Sequence, residues 1–287
     1  MKVVFHADDF GLSAGVNAGI VEAYERGVLR STSLMVTGQA FEDAVARAKA
    51  TPGLDVGVHL TLVEEPPVLP PERIPSLIHD GRFWPTHAAV GLRWLQRRWR
   101  AEEACLELAA QLDRYAATGL AMSHLDGHQH LHLLPGVFTW VAAEASRRRV
   151  RFVRTRLADP LPDGSPPRAA VLVALRAVGW LAQQRAAAVD RHALVPFVTV
   201  GFLHAGGTLT MERLLGVLDR VQRRRPHALV EVMLHPGRAD EETRRRYGHW
   251  RYQWENDLAL LVDPKLPDAL AQRGIDVTSF RALAAAA

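Results

Sequence analysis

Short apolar runs alternate with helix-spaced segments from the first residues onward. Val3–His6 reads as a strand, Asp8–Ser13 as a loop, and Asn17–Arg26 carries helical spacing. Ser33–Thr37 and Val56–Leu62 read as the second and third strands, with a helix pattern at Phe41–Ala50 and the breaker Thr51-Pro52-Gly53 between them. A strand–helix–strand–helix–strand rhythm implies a parallel sheet with right-handed crossovers, because each helix returns the chain to the same end of the sheet. Further strands are predicted at Met122–Leu125, Val150–Val153, Val198–Leu203, Leu229–Leu234 and Asp276–Thr278, and further helices at Leu92–Leu120, Gly136–Arg148 and Ala169–Ala188. Glu64–Phe83 and Pro160–Pro167 are Pro-rich connections. With no internal repeat and no obvious linker, the economical architecture is α/β: one domain over residues 1–287, a TIM-barrel-like (β/α) barrel of about seven parallel strands.

Composition narrows the functional classes. The chain is 48% hydrophobic and 23% charged, which is ordinary for a globular protein and argues against disorder. Its net charge is +4, and the triplets Arg147–Arg149, Arg223–Arg225 and Arg244–Arg246 read as solvated helix ends rather than a nucleic-acid surface. Cys105 is the one cysteine, so no intrachain disulfide forms and a reducing, cytoplasmic setting is expected. In its Ala/Leu-rich helical pattern it reads as a small core residue rather than a nucleophile. The N-terminus is broken by His6, Asp8 and Asp9, unlike a secretory signal. The longest stretch without a charged residue, His192–Met211, contains Pro196 and several glycines and reads as strand and loop.

Three clusters fall just after predicted strands, where parallel α/β folds carry their chemistry. Asp8-Asp9 places two carboxylates side by side, a repulsive arrangement that a cation or a shared proton relieves; the alternative is a solvated turn capping a helix. His59 lies in the alternating strand Val56–Leu62, where a lone histidine is ordinarily core, but it sits at the strand's C-terminal end. The segment His124-Leu125-Asp126-Gly127-His128-Gln129-His130-Leu131-His132 gathers four of the 13 histidines and a carboxylate, a donor set for a divalent ion. Alternation would put His124, Asp126, His128, His130 and His132 on one side until Gly127 bends the chain. Not all four can ligate one ion, so at least one is expected to orient a ligand instead. A weaker signal is His235, presented by the Pro236-Gly237 turn after a late strand. The mixed Trp/Leu/Arg segment Gly91–Arg100 could rest on an anionic membrane surface. The favoured reading is an ordinary helix with Leu92, Leu95 and Trp99 packed inside.

ADDFGLS, GVHLTL, HLDGHQHLH and LHPG, in that order, resemble the YdjC/ChbG-like carbohydrate deacetylases over nearly the whole chain. The segments STSLMV and VNAGIVEAYERGV are similar to that family as well. The resemblance implies a barrel-like fold related to polysaccharide deacetylases. It implies one divalent ion, Mg or Zn foremost with Mn, Co or Ni open, held by Asp9, His59 and His128. It further implies Asp8 as catalytic base and His235 as candidate general acid. PVLPPERIPSL with DGRF, and the MLHPG context, look most like the hopanoid-biosynthesis-associated branch, which implies an N-acetylglucosaminyl lipid headgroup as substrate. A chito-oligosaccharide such as diacetylchitobiose is the alternative. The expected partner is an N-acetylated sugar or glycolipid. Peripheral membrane contact and a homodimer are left open, and nucleic acid is not expected. Rival readings are a metal-dependent phosphoesterase, against which no Gly-rich phosphate cradle is found, and a metal- or sugar-binding module without turnover.

Overall fold

The computed structural model describes residues 1–160, 166–189 and 194–286. Seven parallel strands form one curled sheet: β1 (Lys2–Phe10), β2 (Ser31–Leu34), β3 (Asp55–Leu60), β6 (His124–Gly127), β7 (Phe152–Val153), β8 (Val198–Val200) and β9 (Leu229–Leu234). Two short strands, β4 (Ile78–His79) and β5 (Arg82–Phe83), make a separate antiparallel hairpin, and β10 (Asp276–Val277) adds to the start of β1. The spatial order is β7-β6-β3-β2-β1-β9-β8. A parallel bridge from Leu157 to Thr199 joins the two ends, with the Ala158 N–H donating to the Thr199 carbonyl at 2.7 Å. The α/β class and the strand number are those predicted.

The helices are α1 (Ala14–Arg26), α2 (Phe41–Ala50), α3 (His87–Leu95), α4 (Ala101–Ala116), α5 (Val137–Arg147), α6 (Pro166–Val189), α7 (Met211–Arg224), α8 (Glu241–Tyr247), α9 (Trp254–Leu261), α10 (Leu266–Ala271) and α11 (Phe280–Ala285). Ser13 starts α1 by accepting from the Val16 N–H, and Thr210 starts α7 in the same way from Arg213. Val3, Phe5 and Ala7 of β1, Val56 and Val58 of β3, and Val230, Val232 and Leu234 of β9 all join the main apolar core with the helices. The intervening residues His6, Asp8, Gly57, His59, Glu231 and Met233 therefore face the concave side. Deep in that concavity, Val4, Phe152 and Phe197 close around Phe280 of α11, which fills the barrel floor.

Four expectations need correction. Asp8–Ser13 is not a loop: β1 runs on through Asp8, Asp9 and Phe10, with a bulge between Ala7 and Phe10 where pairing to β2 slips. Leu92–Leu120 is two helices, because α3 ends at Leu95 and Arg97 then enters the left-handed region (φ 56°), with the Arg98 N–H reaching the Arg93 carbonyl. Of the apolar trio expected inside this segment, Trp99 is buried, but Leu92 and Leu95 are 56% and 72% exposed. Glu64–Phe83 is ordered by two short 3₁₀ turns and the β4–β5 hairpin, which reverses at Asp80-Gly81, both at positive φ. Part of the Pro160–Pro167 connection, residues 161–165, lies outside the described residues. Among the described residues no helix is long and apolar enough to cross a membrane.

Candidate metal centre

Adjacent residues of a strand project to opposite faces. The bulge in β1 overrides this for Asp8 and Asp9. Asp9 adopts φ 68°, a left-handed conformation that Asp tolerates better than most residues. Gly11, at φ 104°, completes the turn, and its N–H donates to the Asn17 side chain of α1 at 2.6 Å. Both carboxylates are thereby buried in the concave mouth, where they meet different partners.

Asp9 meets two histidines. Its Oδ1 lies 3.2 Å from His59 Nε2 and 3.0 Å from His128 Nδ1, and the two imidazole nitrogens are 3.4 Å apart. His59 Nδ1 lies 2.8 Å from Asp126 Oδ1, a carboxylate that keeps a proton on Nδ1 and leaves Nε2 as the nitrogen facing Asp9. Asp9 Oδ1, His59 Nε2 and His128 Nδ1 thus converge as three potential ligand atoms. Donors about 2.1 Å from one ion stand roughly 3.0–3.4 Å from one another, which the triangle matches. Asp9 Oδ2 is buried without a hydrogen-bond partner, leaving a further unspent donor atom. The residues fit a divalent cation.

The electrostatics carry the same demand for positive charge. Burial alone would lower the pKa of both imidazoles. The Asp126 and Asp9 carboxylates outweigh it and push His59 up to about 10. Asp9 and Glu64 likewise push His128 up to about 9. Burial alone would raise the Asp9 carboxyl, yet His128 and His59 hold it far below the usual range.

Two other donor groups, His6 with His124 and Asp126, and Asp8 with His59 and Asp126, also cluster closely. Their carboxylates are already engaged. Arg154, one residue beyond β7, grips Asp8 through both oxygens at 2.7 Å, meets Asp126 Oδ2 at 2.9 Å and pairs with Glu231 at 2.8 Å. His6 Nε2 adds contacts to Asp126 at 3.1 Å and Asp8 at 3.3 Å. A cation there would compete with a buried guanidinium. A cavity of about 520 Å³ lies between α6 and α7 beside Arg156, Arg176 and Trp180, and none of these groups lines it. The chemistry, not the volume, locates the site.

The profile of the YdjC-like proteins matches residues 2–272. The chain belongs to the YdjC-like family. It is 33% identical to a Geobacillus stearothermophilus protein named carbohydrate deacetylase, over 97% of this chain and 96% of that one. It is 31% identical to an Enterobacter chitooligosaccharide deacetylase, over 97% of each. A solved Enterococcus faecalis structure, described as a candidate cellobiose-phosphate cleavage protein, superposes with a TM-score of 0.77 at 24% identity, covering 98% of both chains. That likeness establishes the fold.

In this YdjC-like chain the structure gathers Asp9, His59 and His128 into one triangle, with Asp8 at its edge. The histidine cluster divides. Alternation holds from His124 through His128, and then Gln129 and His130 at positive φ start a 3₁₀ turn that takes His130 and His132 away. His132 Nε2 lies 2.8 Å from the Arg154 carbonyl and orients the arginine's backbone. Burial, despite that bond, lowers His132 to about 4 and keeps it neutral. His235 follows β9, one step beyond the Leu234–Ala7 pair, and so borders Asp8. Its N–H donates to Asp257 at 2.9 Å, its ring lies 4.8 Å from Tyr252, and its Nδ1 has no hydrogen-bond partner. Burial lowers its pKa, with Asp9 and Asp8 opposing.

Arg154, Glu231, Glu64 and His6 escaped the sequence reading. His6 carries a legible signal, since it shares Asp8's strand parity. Arg154 does not: it is one arginine among many, and only the barrel shows that its neighbours are three acids.

Proposed function

We propose that this chain is a metal-dependent carbohydrate N-deacetylase that hydrolyses the acetamide of an N-acetylglucosamine-type sugar, of the chito-oligosaccharide kind. The observation that carries the reading is the buried Asp9–His59–His128 triangle with a second carboxylate, Asp8, beside it. Relatives of nearly equal length bearing the names carbohydrate deacetylase and chitooligosaccharide deacetylase support the substrate class.

Asp9 Oδ1, His59 Nε2 and His128 Nδ1 are the ligands in this reading, and a carboxylate with two imidazoles accepts Mg, Zn, Mn, Co or Ni. Bound there, a divalent ion supplies acidification of a water and polarisation of the acetyl carbonyl. Asp8 takes the water's proton. Arg154 outweighs the burial that would raise the Asp8 carboxyl and holds it well below the usual range, so Asp8 stays ionised and aimed, at the cost of basicity. His235 delivers a proton to the departing nitrogen, because an amine leaves poorly without one. Its lowered pKa makes its imidazolium a stronger donor.

The deciding experiment is acetate release from N-acetylglucosamine, diacetylchitobiose and longer oligomers by protein loaded with defined ions. Turnover should vanish on chelation and return on reloading. Absence of acetate from every sugar would sink the reading, and turnover of a phosphodiester instead would favour the phosphoesterase.

A second reading, an N-acetylglucosaminyl lipid of the hopanoid type, draws on exposed Leu92 and Leu95 beside Arg97 and Arg98, an apolar and basic edge suited to an anionic bilayer. Flotation with anionic liposomes tests it, and a protein that stays with the soluble fraction counts against it.

A further inference from the structure

Beside the triangle runs an aromatic segment that neither the ligands nor the acid–base groups account for. Tyr247, Trp250, Tyr252 and Trp254 follow one another with ring centroids 4.8, 5.5 and 5.8 Å apart. Trp254 is buried in the core at 1% exposure, as a structural tryptophan should be. Trp250 and Tyr252 are only half-buried. Arg251, between them, sits in the left-handed region at φ 57°, and the two ring planes are inclined at 56° to each other. Trp250 lies 5.3 Å from the ring of His128, and Tyr252 lies 4.8 Å from the ring of His235. The two rings therefore flank the space between a ligand of the triangle and the proposed acid, where the reacting acetamide must sit.

Both rings are held from behind. The Trp250 indole N–H donates to both oxygens of Glu64, at 3.0 and 3.1 Å. The same carboxylate takes His249 at 2.7 Å and Gln129 at 3.0 Å, and stands 3.6 Å from His128 Nε2. Glu64 is itself at φ 64°, an uncommon conformation for Glu that the surrounding contacts maintain. Tyr252 packs on Gly206, where an added Cβ would come within 2.5 Å of the ring. The polar edge of Trp250 is spent on Glu64, so its remaining accessible surface is an apolar face. A pyranose with equatorial substituents presents axial C–H bonds on its ring faces, the apolar partner that such a surface accepts.

We propose that Trp250 and Tyr252 form the platform on which the sugar ring bearing the reactive acetamide stacks, and that they set the preference for a pyranose over a small acyclic acetamide. The inference rests on the deacetylase reading and adds the specificity surface of that site.

The test compares ion-loaded wild type with Trp250→Phe and Trp250→Leu, on diacetylchitobiose and on a small acyclic acetamide. Trp250→Leu should raise KM for the sugar about tenfold or more and leave kcat within about threefold, while Trp250→Phe stays near wild type. Because Trp250 also holds Glu64 beside His128, ion content is measured in each variant, and in Trp250→Leu the loss of kcat/KM for the sugar should exceed the loss for the acyclic acetamide by about tenfold. Calorimetric binding of diacetylchitobiose to Asp8→Asn, with and without Trp250→Leu, gives a readout that needs no turnover. Tyr252→Leu supplies the same comparison should Trp250→Leu fail to fold. Unchanged KM and unchanged binding in the Leu variants would overturn the platform while leaving the deacetylase reading intact. A wild type that binds the sugar through Trp250 but releases no acetate would overturn the deacetylase reading and keep the platform; no sugar binding at all would overturn both.

Discussion

Asp8 and Asp9 are chemically identical neighbours that the fold treats in opposite ways. Arg154 grips both oxygens of Asp8, whereas Asp9 faces two imidazoles and keeps one oxygen unpaired. Substitutions should separate them. Asp8→Asn removes the base yet leaves all three donors, so ion content should stay stoichiometric while kcat falls by about 10²-fold or more; a variant that deacetylates normally would refute the assignment. His59→Ala and His128→Ala each delete a donor, and elemental analysis after gel filtration should find the ion lost. Retention at full stoichiometry by either variant removes that residue from the site. Proton bookkeeping gives an independent check. With His59 and His128 raised to about 10 and 9 in the ion-free protein, both carry protons at pH 7.5, and ligation must expel them. Ion titrations in buffers of different ionisation enthalpy should therefore report proton release, and release should vanish as pH rises above those values.

The strands deliver chemistry through parity. His6 and Asp8 on β1, Gly57 and His59 on β3, His124 and Asp126 on β6, and Glu231, Met233 and His235 along β9 occupy alternate positions on the concave face. Gly57 earns its place because a Cβ there would meet the His124 ring at 2.4 Å. Part of this parity was legible in the sequence, in the alternation from His124 to His128 and in the lone His59, since a strand end is where a barrel exposes its side chains; the same patterns place Asp8 in a loop and assign no role to His6 or Glu231. The end of β9 depends on a helix as well. Asp257 of α9 accepts the His235 N–H, and burial pushes its carboxyl up to about 7. Its unfolded value is about 3.9, so the folded state holds the proton more tightly. That stabilisation is complete below about pH 4, shrinks as pH rises, and is gone above about pH 7. Asp257→Asn cannot ionise and can still accept from His235. It should gain up to a few kcal/mol relative to wild type between pH 4.5 and pH 8. Thermal unfolding of both proteins at the two pH values measures this, and a constant difference would show that Asp257 is not buried as an acid.

Across the barrel, Arg154 ties the end of β7 to β1, β6 and β9 through Asp8, Asp126 and Glu231, and Thr199 of β8 adds a 2.6 Å bond to Glu231. This ion cluster lies between the apolar floor around Phe280 and the triangle at the mouth. A buried pair is weak evidence for net stability, but deleting one partner strands the others. Arg154→Met leaves three carboxylates facing one another and should cost on the order of 3–5 kcal/mol at pH 8, read by denaturant unfolding. Arg154 holds Asp8 and Asp126 well below their ordinary range, so its contribution is present above about pH 4 and lost as pH falls through their folded values. The deficit of the variant should accordingly narrow toward acid pH. A uniform deficit would mean that lost packing, not stranded charge, is responsible.

Local patterns were enough to read the α/β rhythm, the strand number and the three clusters at Asp8-Asp9, His59 and His124–His132, because strand alternation and strand-end position follow from backbone geometry and nearby side chains; singling out Asp9, His59 and His128 as the ligands took the family resemblance. They were not enough to read the extension of β1 through a left-handed Asp9, since a bulge is chosen by the partner strand's register. Nor could they separate His128 from His130 and His132, which part company at two positive-φ residues, or anticipate the exposure of Leu92 and Leu95. Above all they could not supply Arg154 or the Glu64–Trp250 contact. Those join residues 146 and 186 positions apart, and only the closure of the sheet brings such groups close enough to bond.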